Sequence, residues 1–96
     1  DHIPFLQDFK EWLSVQEYRL NQRYAAASVE SYFMDSRRWF TSGADIDDIY
    51  PLVKERIALL EDASERDGVH QNEISANKLL CEFYEERRRQ AAADAA

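Results

Sequence analysis

Turn residues are scarce: the 96-residue chain holds two glycines and two prolines. An all-β chain needs many more, and with 45% hydrophobic residues disorder is excluded as well. A single cysteine, Cys81, rules out an internal disulfide. It falls in a helical pattern among Leu79, Leu80 and Phe83, where a small buried thiol is the default. No apolar run approaches the ~18 residues of a membrane span, and no secretory leader is visible. The expectation is a reducing, cytoplasmic setting with no membrane partner. His2 and His70 lie far apart, and with one cysteine they cannot build a metal site. Gly-rich phosphate loops and nucleophile–base motifs are missing. Asp45, Asp47 and Asp48 lack the glycine and closing glutamate of a calcium loop. The reading is a chain with no catalysis of its own, no cofactor and no small-molecule substrate.

Excess positive charge is also lacking. Nineteen acidic residues face twelve basic ones, a net charge of −7, and only Lys10, Lys54 and Lys78 are lysines. Taken alone, this argues against nucleic acid, because phosphate contacts need cations. An acidic, lysine-poor surface also suits solubility in concentrated salt, where carboxylate repulsion is screened.

What is present is helical periodicity. Ninety-six residues suffice for one modest core. From Ser28 to Ser42 the residues Val29, Tyr32, Phe33, Ser36, Trp39 and Phe40 recur at three- and four-residue spacing and share a face. Ser31, Asp35, Arg37 and Arg38 fall toward the other side. Ser28 reads as the start of this helix and Gly43 as its stop. Before it, a helix from Pro4 to about residue 21 presents Phe5, Phe9, Trp12, Leu13 and Leu20. After it, residues 48–66 present Ile49, Leu52, Val53, Ile57 and Leu60, with aspartates and Pro51 at the start. A fourth helix, 72–90, takes Asn72 as its cap and buries Ile74, Leu80, Phe83 and Tyr84. Glu82, Glu85 and Glu86 stand three to four residues before Arg87, Arg88 and Arg89, the spacing of helical ion pairs. The expected fold is all-α, a compact four-helix bundle centred on Phe9, Leu13, Val29, Phe33, Phe40, Ile57, Leu60 and Leu80. Residues 1–90 form the domain. Residues 91–96 read as a frayed end or linker, and a chain opening on Asp1 reads as a piece of a longer one.

Four segments carry a family resemblance: FLQDFKEWL, SVESYFMDSRRWF, ADIDDI and NEISANKLLCEFYEERR. Together they resemble the core-binding, SAM-like N-terminal domain of tyrosine recombinases, the phage integrases. In the second segment a serine starts the helix, a tyrosine follows four residues on, and a basic residue precedes an aromatic pair. The likeness spans about residues 4–90. It implies a DNA-binding module that, with a separate catalytic domain and other recombinase protomers, clamps duplex DNA at a recombination site. In that family the second and fourth helices face the major groove. Carried over, the candidate contacts are Ser28, Ser31, Arg37 and Arg38 on the second helix and Asn72, Ser75 and Lys78 on the fourth. Hydroxyls and amides near helix starts can bond phosphates, and arginines can make bidentate contacts. The competing reading is an acidic helical domain that binds a protein and no nucleic acid. The charge map separates them: cations converging on one face favour DNA, and even scatter favours the protein partner.

Overall fold

Pro4 opens the first helix, α1 (Pro4–Val15), in a computed structural model that describes residues 4–19, 21–68 and 70–95. The side chains of Tyr18, Arg19, Arg66 and Asp67 are outside the description. Leu6, Phe9 and Leu13, spaced three and four apart, form its buried stripe. The helix ends six residues earlier than the sequence suggests. Two short strands follow, β1 (Glu17–Arg19) and β2 (Gln22–Arg23), paired antiparallel with a bulge. Asn21 makes the turn at φ 62°, a left-handed conformation that asparagine tolerates better than most residues. Its N–H donates to the Glu17 carboxylate at 2.9 Å. Leu20, expected on the buried face, lies outside the described residues.

Helix α2 (Ala26–Arg37) starts two residues before Ser28 and continues into a 3₁₀ turn over Arg38–Phe40. Gly43, at φ 79°, closes the turn and donates its N–H to the Phe40 carbonyl. Helix α3 (Ile46–Asp67) carries Asp47 and Asp48 in its first turn and ends at Gly68, which at φ 73° bonds back to the Ser64 carbonyl. Pro51 sits inside this helix, past the first turn, and so removes the N–H that would reach the Asp47 carbonyl. Helix α4 (Gln71–Ala95) is the longest and touches all three others. The tail expected to fray is helical through Ala95 and exposed. That overhang accounts for a radius of gyration of 14.0 Å, where a compact chain of this length has about 12.5 Å.

The four helices form one all-α bundle. Its core contains Phe9, Leu13, Val29, Phe40, Ile57, Leu60 and Leu80 as expected, together with Leu6, Ile49, Val53, Ile74, Cys81, Phe83 and Tyr84. Phe83 lies at its centre, 5.2 to 5.6 Å ring to ring from Phe5, Phe9 and Trp12. Two expected core positions are corrected. Phe33 is only partly buried, because it lies on the α1-facing edge of α2, where the Lys10 ammonium covers its ring at 4.9 Å. Leu52, in the second turn of α3, is 52% exposed and lies on the solvent side of that helix.

Candidate nucleic-acid interface at the α2–α4 edge

α2 turns two edges to its neighbours. Toward α1 lie Glu30, paired with Lys10 at 2.9 Å, and Phe33 beneath the same lysine. Arg37 stands one turn beyond Phe33 on that edge, exposed and without an ion pair among the described residues. Toward α4 lie Ser31 and Asp35. The Asn72 amide reaches across to both, donating to Ser31 Oγ at 3.2 Å and to Asp35 Oδ2 at 2.6 Å. Arg38 closes the chain by pairing with Asp35 Oδ1 at 3.3 Å, its side chain 66% exposed.

The expected contact residues therefore divide. Ser31, Arg38 and Asn72 come together through Asp35, a carboxylate the sequence reading left on the outer face. Ser28 is the third residue of α2, partly buried, and the helix has no side-chain cap at its Ala25 start. Asn72 is not a cap either: α4 begins at Gln71, and the amide is used across the helix pair. Ser75 is partly buried and makes no side-chain hydrogen bond among the described residues. Lys78 belongs to the opposite edge of α4, bound to Glu61 of α3 at 2.8 Å. Arg37 is separated from the cluster by the width of α2.

Beneath the cluster is a cavity of about 240 Å³ lined by Asp35, Arg38, Trp39, Glu73 and Asn77. Glu73 is held below the ordinary carboxylate range, chiefly by the Arg56 Nε–H that donates to it at 2.9 Å. Trp39 donates its indole N–H to Asn77 Oδ1 at 3.1 Å. An indole N–H can only donate, so this bond fixes the amide with Nδ2 as the remaining donor. Asn77 is 1% exposed and its Nδ2 has no partner. Leaving a buried donor unpaired costs about 1–3 kcal/mol. Ser36 Oγ, fully buried on α2, is likewise unpaired. Periodicity placed Ser36 and Trp39 on the inner face, but it carried no signal for Asn77.

Elsewhere three further cations are locally neutralised. Lys54 pairs with Glu85 at 3.6 Å, Arg56 with Glu73 and Arg87 with Asp8 at 2.8 Å. Among the described residues no ion pair forms within α4, although Arg89 adds to the Tyr50 hydroxyl in holding the Glu85 carboxyl low. Arg87 instead lies over the Phe5 and Phe83 rings, Arg88 donates to the Tyr84 hydroxyl, and Glu86 accepts from the Trp12 indole. Glu85 accepts the Tyr50 hydroxyl, which holds its carboxyl low and raises the phenol. Tyr84 in turn donates to Asp47. Cys81 is buried, and desolvation pushes its thiol up to about 11. No helix among the described residues is long and apolar enough to cross a membrane. No family model, curated protein or solved structure matches this chain.

Proposed function

We propose that this chain is the DNA-recognition module of a site-specific tyrosine recombinase, contacting duplex DNA along the α2–α4 edge. The observation that supports it is the side-by-side packing of α2 and α4, the two helices the resemblance assigns to the major groove. Their shared edge gathers Ser31, Arg38 and Asn72 into one exposed polar cluster. Asp35 within it tempers the attraction for phosphate. The module then supplies positioning contacts, and a companion catalytic domain supplies most of the electrostatic attraction.

A second reading, the acidic protein-binding domain, draws on the charge map. Lys10, Arg38, Lys54, Arg56, Lys78 and Arg87 each hold a carboxylate. They are spread around the bundle. By the criterion of converging cations, that spread favours the protein partner.

Backbone amide shifts separate the two readings. Labelled chain is titrated with a panel of short duplexes at low salt, where weak binding is visible. Perturbations confined to Ser31, Arg38, Asn72 and Ser75, fading as salt rises, support the DNA module. Absence of any perturbation at low salt, or shifts spread over every helix, overturns it.

A further inference from the structure

The cavity under the α2–α4 edge has the lining of a binding site rather than of a packing gap. Its volume, about 240 Å³, is below the ~300–1,000 Å³ of sites for drug-sized ligands, which limits an occupant to roughly one ring system. Trp39 supplies an aromatic wall and is anchored by its bond to Asn77. Asn77 Nδ2, buried and unpartnered, calls for an acceptor. Nearby, the carboxylates of Asp35 and Glu73 each keep lone pairs beyond those used by Arg38, Asn72 and Arg56, and call for donors. Arg38, mostly exposed, stands at the rim.

A flat group that stacks on indole and carries an acceptor beside a donor answers all of these demands. An amide meets the hydrogen bonds but brings no ring to the indole. A free anion satisfies Asn77 but meets two carboxylates. We infer that the cavity receives a single unpaired nucleobase, with a ring nitrogen or carbonyl accepting from Asn77 and an exocyclic amine or ring N–H donating to Asp35 or Glu73. The sugar–phosphate then stays outside, near Arg38. This inference rests on the α2–α4 edge being the nucleic-acid face. It adds that the edge reads an extruded or single-stranded base, by stacking and by its Watson–Crick edge. Thymine, with its N3–H beside a ring carbonyl, meets the same demand as the three amine-bearing bases, so the site receives a base without selecting among the four.

The test uses the four deoxynucleosides as neutral probes, followed through the Trp39 indole N–H and the Asn77 side-chain amide in NMR spectra. At least one of the four nucleosides should move both signals. Asn77→Asp keeps the acceptor for Trp39 and deletes the donor, so it should weaken the tightest-binding nucleoside about tenfold, the worth of one hydrogen bond. If that variant is shown by its melting curve not to fold, Glu73→Gln serves instead and should alter the ranking of the nucleosides. Signals that no nucleoside moves mean that the cavity holds only water, and the inference falls. Duplex DNA that shifts the α2–α4 edge while nucleosides leave Trp39 still would overturn the base pocket and spare the DNA module. Nucleoside binding without any duplex binding would do the reverse.

Discussion

Phe9 and Phe33 carry the same side chain at different depths, and replacing each with alanine measures what that depth is worth. Phe9 is fully buried, with Trp12 at 6.2 Å and Phe83 at 5.6 Å between ring centres. A cavity there costs about 3–5 kcal/mol. For 96 residues, total stability is about 5–14 kcal/mol, so Phe9→Ala removes about a fifth of it or more. Phe33 is only partly buried, and its neighbour at 4.9 Å is a lysine. Partial burial of a phenyl ring is worth about 1–1.5 kcal/mol, and an exposed cation over its face adds about 0.5–1 kcal/mol. Phe33→Ala should therefore cost about 2 kcal/mol. In a domain of this size each kcal/mol lowers Tm by about 4–8 °C, which places the two variants roughly 4–24 °C apart. Urea unfolding followed by circular dichroism gives both free energies, with equal slopes showing that the denatured states match. Costs that agree within about 0.5 kcal/mol, or a larger loss at Phe33, would refute the assignment of depth.

Arg38→Gln should lower Tm by no more than a few degrees, since an exposed pair is worth about 0.3–0.5 kcal/mol, yet it should weaken duplex binding and reduce its salt slope by about one unit. Arg37→Gln, on the α1-facing edge, should leave both unchanged; isothermal titration at several salt concentrations distinguishes the two. Glu73 and Glu85 both have folded-state carboxyl pKa values below the ordinary 4.5. Their contribution to stability is thus fully present above that value and lost as pH falls through the lowered ones. Glu73→Gln should flatten the acid limb of the stability–pH curve measured by urea titration, and an unchanged limb would contradict the Arg56 pairing. Cys81, with its thiol pushed up to about 11, should react with a disulfide reagent about 100-fold more slowly in the native chain than in urea, from thiolate fraction alone.

The helices were legible because each repeats apolar residues at three and four over ten or more positions. The hairpin between α1 and α2 was not: five strand residues are too few for an alternating pattern, and the one usable signal was Asn21, a residue suited to positive φ. Phe33 and Leu52 show a second limit. Periodicity identifies a face but not how far neighbouring helices extend over its edges, and Lys10 covers one edge where a hydrophobic neighbour would have buried the ring. Ser28 and Asn72 were read as caps because a cap is the commonest use of such residues near a helix start. Asn72 instead finds Ser31 and Asp35, forty-one and thirty-seven positions away. The cavity was the least legible feature, since Asn77 is set apart only by its bond to a tryptophan on another element.

The clasp between α1 and the far end of α4 has a consequence for synthesis. Asp8 waits for Arg87, Trp12 for Glu86, and Phe5, Phe9 and Trp12 all wait for Phe83. A twelve-residue helix is marginal by itself in water. At about 5–20 residues per second, roughly seventy further residues take about 4–14 s to translate. During that interval the first helix can pack on α2, with Phe5 against Phe40 at 6.0 Å, but the side of its aromatic stripe that meets Phe83 stays uncovered. Helix α1 is thus made well before its packing is complete, and a pause in translation before residue 83 would lengthen the time that Phe9 and Trp12 lack their Phe83 neighbour.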